Sequence, residues 1–303
     1  HRRRHSFPTR RSSDLAAPAY KLTVFNSIFN TNTGNTHPDP VQDYICFLKH
    51  LKVNESTYAL NTDLMVATGE SAGGHIAMES ALFLTDANID SYQMTYNGFN
   101  TNRSAQYPNL NLTQGRTDIP IPKGIFSFAG PVDLLQVYNT TVVAVAVSVY
   151  FGSRPNDAFY PAVQREGHVN DYIKATAGSI FAGRTPTRPH IPMGYAEHTD
   201  DIVVVPAAGL TALRSALVEV GYDTSAANGV VNLNGLSYRS ATYGDSLNAH
   251  GAIMNTPNIA FFVSWMSALM SALEGVEEVP TQGITWPRSN SVNAGKGRLW
   301  PRR

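Results

Sequence analysis

The sequence predicts an α/β protein with a mostly parallel sheet and helices on both faces. Two observations carry this prediction. Between about residues 20 and 275, short β-prone runs alternate with amphipathic helical runs, which is typical of parallel sheets covered on both sides. One β-prone run also enters the turn Gly69-Glu70-Ser71-Ala72-Gly73, and a helical run leaves it. In such folds the catalytic groups lie at the carboxyl ends of the strands.

The strands are predicted from β-branched and aromatic residues bounded by turn formers. In chain order they cover residues 20–29, 64–68, 124–128, 190–195 and 237–243. The first strand is followed by Asn- and Thr-rich residues that predict a loop before His37-Pro38.

The helices are predicted from apolar residues that recur every three or four positions, as Ile45, Leu48 and Leu51 do. They cover residues 41–52, 72–85, 207–221 and 257–273. Two longer segments interrupt the alternation. Residues 86–120 are polar and rich in Asn, Tyr and Thr, and residues 134–186 contain helical pieces that we expect to form a cap-like insertion over the substrate.

The two ends of the chain differ from its body. Residues 1–15 are rich in Arg and Ser and lack a hydrophobic period, and residues 5–15 resemble the translation of a short-read sequencing adapter. We expect this segment to be artefactual or disordered. Residues 280–303 are aperiodic and rich in Gly, Asn, Ser and Arg, and are predicted to be a disordered tail. The folded domain is therefore expected over residues 16–279.

The charge distribution excludes some classes of protein. The net charge of the whole chain is zero, but residues 16–280 carry 13 basic and 22 acidic residues, a net charge of −9. An acidic body argues against nucleic-acid binding. We find no apolar run of transmembrane length and therefore expect no transmembrane segment. The single cysteine, Cys46, excludes an intramolecular disulfide.

The strand–turn–helix junction around Ser71 has the G-x-S-x-G pattern of a nucleophile elbow. Gly69 and Gly73 are expected to leave room for a sharp turn that a Cβ on either side would obstruct. Ser71 would then lie at a helix N-terminus, where the helix dipole favours a developing negative charge. The backbone N–H of Ala72 is the expected oxyanion donor.

The chain resembles the α/β-hydrolase esterases and lipases, in particular the hormone-sensitive-lipase-like and feruloyl-esterase-like group. The resemblance covers about residues 20–275 and rests on several short motifs. These are Gly69-Glu70-Ser71-Ala72-Gly73-Gly74, Phe128-Ala129-Gly130-Pro131-Val132-Asp133, Tyr150-Phe151-Gly152, Asp200-Asp201 before Val203-Val204-Val205-Pro206, and Ala249-His250-Gly251.

The resemblance also implies that the strand at 20–29 is the fourth of the family's fold, so that the first strands are missing. In this family a His-Gly-Gly-Gly-type loop precedes that strand and supplies further oxyanion donors, and nothing in residues 1–63 resembles it. Losing one such donor lowers turnover on the order of 10²–10³-fold. We therefore expect the chain as given to be weakly active or inactive.

The family's chain order, Ser then Asp then His, assigns the rest of a triad. His250 is the expected base, because it follows the last strand and precedes the last helix. Asp200 and Asp201 both qualify as the orienting acid. We choose Asp201, because in the family Val-Val-Pro follows the acid closely. His198 and His168 have no matching place in this order and are expected to be structural or solvated, and His75 lies one helical turn beyond Ser71 and is expected to point elsewhere.

The resemblance implies hydrolysis of a small-molecule carboxylic ester through an acyl-enzyme on Ser71. The polar and aromatic residues at 86–120 favour short acyl chains, or aromatic and sugar esters. No cofactor is expected, since no His, Cys or Asp cluster has metal-ligand spacing and no Gly-rich loop could cradle a phosphate. Two alternatives stay open: amide or aryl-formamide hydrolysis on the same triad, and a non-catalytic module with this fold.

Overall fold

A computed structural model describes the parts of the chain that build the sheet and its helices. The described residues are 23–26, 31–34, 37, 39–85, 119–140, 144–151, 169–174, 189–242, 244 and 248–274. The predicted terminal segments at 1–15 and 280–303, the polar segment up to residue 118 and much of the predicted cap lie outside them.

Four parallel strands form the central sheet. They are β3 (Val66–Glu70), β4 (Gly124–Phe128), β5 (Met193–His198) and β6 (Leu236–Ala241), and they lie side by side in chain order. Parallel strands need crossover connections, and helices supply them here. The predicted parallel sheet is confirmed.

Eight helices are described. They are α1 (Asp39–Val53), α2 (Glu55–Tyr58), α3 (Ala72–Thr85), α4 (Leu134–Thr140), α5 (Ala144–Phe151), α6 (Val169–Lys174), α7 (Leu210–Glu219) and α8 (Thr256–Leu273), with a 3-10 turn at Thr62–Leu64.

Strand β4 shows how the sheet receives helices on both faces. All five of its residues are buried, and successive side chains of a strand point to opposite faces. Ile125 joins the core formed with α1, α3, α6 and α7. Phe126 and Phe128 join a second core with α8, where Trp265 is fully buried. The predicted helices on both faces are therefore present.

Close packing of the second core depends on a glycine in β5. A Cβ at Gly194 would collide with the ring of Phe126 on the neighbouring strand. The Phe126 ring in turn lies 5.3 Å from the Trp265 ring in an edge-to-face arrangement, a geometry that aromatic pairs favour. Gly194 thus allows α8 to pack closely against the sheet.

The N-terminal part differs from the prediction of one strand and a loop. Strand β1 (Thr23–Asn26) pairs antiparallel with β2 (Thr31–Gly34), and the two form a separate two-stranded sheet. The second strand falls in the residues expected to be a loop. Its two threonines are β-branched, and such residues favour extended backbone.

Two central strands continue further than predicted, and this affects the site. Strand β3 was expected to end at residue 68 but continues to Glu70, and β5 was expected to end at residue 195 but continues to His198. Parallel pairing of Glu70 with Phe128 and of His198 with Ala241 supports these added residues. Both strands therefore lead almost directly into the predicted catalytic residues.

Helix α8 has 18 residues and is long and apolar enough to cross a membrane by length and composition. One such helix among the described residues is weak evidence for a membrane span, because helices in the core of a soluble protein can be equally long and apolar. Phe261, Trp265 and Leu269 of α8 are buried against the sheet.

Candidate active site

Ser71 lies alone between the end of β3 and the start of α3. Its φ is 53°, in the left-handed region, which costs an L-residue roughly 1–2 kcal/mol. Backbone hydrogen bonds hold it there, because Ser71 N–H donates to Phe128 O at 2.8 Å and His75 N–H donates to Ser71 O at 3.1 Å. Strain of this kind is often found at functional residues, and the turn has the geometry predicted for a nucleophile elbow.

The glycines around Ser71 do not all act as predicted. A Cβ at Gly69 would collide with the backbone of Gly73, as expected. A Cβ at Gly73, however, would meet nothing within 4 Å among the described residues outside its own helix, so the prediction that it would obstruct the turn is wrong. The obstructed position is Gly74, where a Cβ would lie 2.5 Å from Ser127 Oγ and 2.9 Å from Gly69 O. The backbone of Gly73 matters because Gly69 packs against it.

Asp201 follows β5 and is held by its local backbone. Its Oδ1 accepts hydrogen bonds from Val203 N–H at 2.7 Å and Val204 N–H at 3.0 Å. Its Oδ2 lies 2.7 Å from His250 Nδ1, and its side chain is completely buried. Asp200 is placed differently, because its Oδ2 accepts from Gly244 N–H at 2.8 Å. The structure therefore brings Asp201, and not Asp200, to the histidine.

His250 connects Asp201 to Ser71. Its Nδ1 faces a carboxylate oxygen, which can only accept, so Nδ1 carries the proton and donates. In the neutral ring Nε2 then has a lone pair, and it lies 2.9 Å from Ser71 Oγ. This arrangement can take the proton of the serine hydroxyl while the carboxylate fixes the imidazole tautomer.

Ala72, the predicted oxyanion donor, is the first residue of α3. The first four N–H groups of a helix have no acceptor within the helix. The backbone of Ala72 thus lies next to Ser71 at the positive end of the helix dipole, where a developing oxyanion is stabilised.

A buried group of polar residues lies behind the elbow, and sequence reasoning missed it. Glu79 Oε1 accepts from His37 Nε2 at 2.7 Å, and Glu79 Oε2 lies 3.1 Å from His75 Nε2. The other His75 nitrogen donates to Pro131 O at 2.8 Å. The ring of Tyr150 contacts both histidines edge-on. The only sign of this group in the sequence was an acidic residue, Glu79, within a mostly apolar helix.

Glu79 is ionised in this setting. Burial raises its pKa, but the charge and hydrogen bond of His37, together with the contact from His75, outweigh burial and hold the pKa at about 2. The carboxylate therefore ties α3 to the segment that contains His37 and, through His75, to the end of β4.

A second buried carboxyl lies on β5, close to Asp201. Glu197 Oε2 accepts from Leu210 N–H at 3.2 Å, and its Oε1 accepts from Ser240 Oγ at 3.0 Å. Burial raises its pKa to about 7, and the nearby charge of Asp201 acts in the same direction. Glu197 therefore connects β5 to β6 and to the start of α7, next to the turn that carries Asp201.

The remaining polar residues singled out in the sequence have structural contacts. Asp133, at the end of one of the resemblance motifs, accepts from Gln136 N–H at 2.9 Å near the start of α4 and from Asn170 Nδ2 at 3.2 Å. His198 is buried and hydrogen-bonded. His168 lies outside the described residues. Within the described parts of the chain, no group of three His, Cys, Asp or Glu could hold a metal ion.

Comparison with known families identifies the chain. A family model named BD-FAE matches residues 7–177, which is more than half of the sequence. The chain belongs to the BD-FAE family. This is an α/β-hydrolase-like esterase family, so the BD-FAE chain is a carboxylic ester hydrolase, and the predicted fold and general reaction are confirmed.

Three solved structures are similar to this BD-FAE protein, and the first of them supports the fold. A truncated form of a carbohydrate esterase from gut microbiota is 13% identical with a TM-score of 0.50, over 78% of this chain and 70% of that one. A carboxylesterase from Lactobacillus plantarum is 14% identical with a TM-score of 0.43, over 80% and 70%. An acylaminoacyl peptidase from Pyrococcus horikoshii is 13% identical with a TM-score of 0.46, over 79% and 28%. No curated protein sequence matched.

Proposed function

We propose that this BD-FAE protein hydrolyses carboxylic esters through an acyl-enzyme on Ser71. The observation that carries the proposal is the continuous chain of contacts from Ser71 Oγ to His250 Nε2 at 2.9 Å and from His250 Nδ1 to Asp201 Oδ2 at 2.7 Å. A nucleophile that contacts a base, which in turn contacts an orienting acid, is the arrangement that ester hydrolysis by a serine enzyme uses.

In the proposed reaction His250 Nε2 takes the hydroxyl proton as Ser71 Oγ attacks the ester carbonyl carbon. Donors that include Ala72 N–H stabilise the oxyanion. His250 then gives the proton to the departing alcohol, and the acyl group stays on Ser71. Water, deprotonated by the same histidine, releases the carboxylic acid and restores the serine.

For the substrate we propose a small ester with a short acyl chain, or an aromatic or sugar ester. This proposal rests on the polar and aromatic composition of residues 86–120, most of which lie outside the described residues. We also propose a hydrolase domain over residues 16–279 with a cap-like insertion at about 134–186. The helices that the structure describes between β4 and β5, namely α4, α5 and α6, support that insertion.

The test compares Ser71→Ala with the unchanged protein on p-nitrophenyl acetate and on p-nitroacetanilide. We expect ester hydrolysis to fall by at least about 10³-fold in S71A relative to the unchanged protein, since the proposed acyl-enzyme forms on Ser71. Ser264→Ala is the matched control, because Ser264 is exposed on α8 and its hydroxyl donates to Ala260 O within that helix. Covalent labelling by a fluorophosphonate should likewise require Ser71.

The outcomes separate the alternatives. Equal ester hydrolysis and equal labelling in S71A and S264A would exclude Ser71 as the nucleophile. Faster cleavage of the anilide than of the ester would favour an amide hydrolase on the same triad. Labelling at Ser71 without measurable cleavage would fit the expected lack of oxyanion donors, whereas absence of both cleavage and labelling in the unchanged protein would favour a non-catalytic module.

A further inference from the structure

Two loops must hold a fixed separation if Asp201 is to orient His250. Asp201 lies in the turn that follows β5, and His250 lies in residues 248–254, between β6 and α8. The 2.7 Å contact between the two side chains crosses from one loop to the other. A displacement of about 1 Å in such a contact can lower turnover about 100-fold, so a group that fixes both loops would matter to the reaction.

His198 contacts both loops. It is the last residue of β5 and is 1% exposed. Its own carbonyl accepts from Asp201 N–H at 3.2 Å, which closes the turn that carries the acid. Its ring Nε2 lies 3.3 Å from Ala252 O, in the loop that carries His250, and 3.2 Å from Asn255 Nδ2.

The neighbours of His198 determine which ring nitrogen carries the proton. Nδ1 lies 3.1 Å from Ala241 O, a group that only accepts, so Nδ1 holds a proton and donates. Asn255 Oδ1 accepts from Asn258 N–H at 3.0 Å as the N-cap of α8, which turns Asn255 Nδ2 toward His198. In the neutral ring, Nε2 therefore accepts from Asn255.

These contacts join three elements through one side chain. Ala241, which accepts from Nδ1, belongs to β6, and Asn255, which donates to Nε2, caps α8 directly after the loop of His250. Ala252 in that loop lies against Nε2 without a hydrogen bond, because a carbonyl oxygen and an unprotonated ring nitrogen both only accept. A buried imidazole with a partner at each nitrogen is fixed in both rotation and tautomer. Its position then sets the distance between the turn of Asp201 and the loop of His250.

We propose that His198 is a positioning residue that holds the loop of His250 against the turn of Asp201. The proposal rests on the proposed Ser71–His250–Asp201 function, because it concerns the alignment of that triad. His198 does not touch Ser71, so its effect on the reaction passes through His250.

The test uses two variants that break the contact between His198 Nε2 and Asn255 Nδ2, one from each side. His198→Phe keeps a planar ring but loses both nitrogens. Asn255→Ser keeps an oxygen that can cap α8 but loses the amide that reaches His198. His190→Phe is the matched control, because His190 is exposed and precedes β5 at the opposite end of that strand.

For H198F on p-nitrophenyl acetate we expect kcat to fall about 10- to 100-fold with KM changed less than about twofold, because alignment is lost while substrate binding is kept. N255S should lower kcat in the same direction with little change in Tm. The double variant should lose no more than the larger single loss, because both changes break one link. H190F should match the unchanged protein.

A second readout does not depend on turnover. The proton between His250 Nδ1 and Asp201 gives a downfield proton NMR resonance that His250→Gln removes, and we expect H198F and N255S to broaden or abolish it. Folded H198F and N255S variants that keep kcat and this resonance would overturn the proposal. If H198F does not fold, N255S decides. If S71A retains full activity, the proposed function fails, while the resonance still tests the role of His198.

Discussion

Replacing Glu79 by Gln tests whether a buried carboxylate stabilises the helix behind Ser71. Glu79 has a pKa of about 2 in the folded protein against an ordinary 4.5. A pKa lowered by that amount corresponds to about 3 kcal/mol of stability at neutral pH. Because the pKa is lowered, this stability is fully present above about pH 4.5 and is lost as pH falls toward 2. Removing the charge should therefore lower the free energy of unfolding by about 3 kcal/mol at pH 7 and by about 2 kcal/mol at pH 3.5.

Urea denaturation followed by circular dichroism measures the difference in the free energy of unfolding between the unchanged protein and E79Q at the two pH values. Glu219→Gln is the matched control, since Glu219 pairs with Lys174 at 3.1 Å on the surface, where an ion pair contributes less than about 1 kcal/mol. The reasoning would be refuted if the free energies of unfolding of E79Q and the unchanged protein differed by less than about 1 kcal/mol at pH 7. It would also be refuted if the difference were no smaller at pH 3.5, because an ionised and paired Glu79 loses its stabilisation in acid.

Two further predictions concern the elbow and the acid. Gly74→Ala should lower the free energy of unfolding by about 1–3 kcal/mol because its Cβ would meet Ser127 Oγ at 2.5 Å. Gly73→Ala should not, because no described residue outside its helix lies within 4 Å of the added Cβ, and equal melting temperatures of the two variants would contradict this. Asp201→Asn should lower kcat by about 10²–10⁴-fold, because the triad histidine loses the partner that fixes its tautomer, whereas Asp200→Asn should change kcat by less than about tenfold. Steady-state ester kinetics would contradict the assignment of the acid if the two effects were reversed.

The parts of the fold and site that sequence predicted are those that depend on short-range patterns. The elbow at Ser71 could be predicted because its glycines, the strand before it and the helix after it all lie within a few residues of Ser71 in the sequence. Strand β4 has a run of apolar residues that is typical of a strand buried on both faces. His250 followed from chain order within the resembled family, and the structure places it against both Ser71 and Asp201.

The parts that sequence missed depend on contacts between distant residues. His37 and Glu79 are 42 positions apart, and no local pattern links them. The pairing of β2 with β1 was missed because a Thr- and Asn-rich run suits a loop as well as a strand. The predictions that residues 1–15 do not belong to the fold and that the first strands are missing stay predictions.

The choice between Asp200 and Asp201 shows how a distant contact can decide a catalytic assignment. Adjacent residues in a loop cannot be told apart by spacing, and the choice of Asp201 from sequence relied on the family's Val-Val-Pro. In the structure, pairing of His198 with Ala241 extends β5 by three residues beyond its predicted end. The turn therefore starts at His198, and the hydrogen bond from Asp201 N–H to His198 O closes it. Asp201 consequently faces inward to His250, and Asp200 is directed to Gly244. Since β6 supports that extension, the strand after the acid determines which carboxylate reaches the histidine.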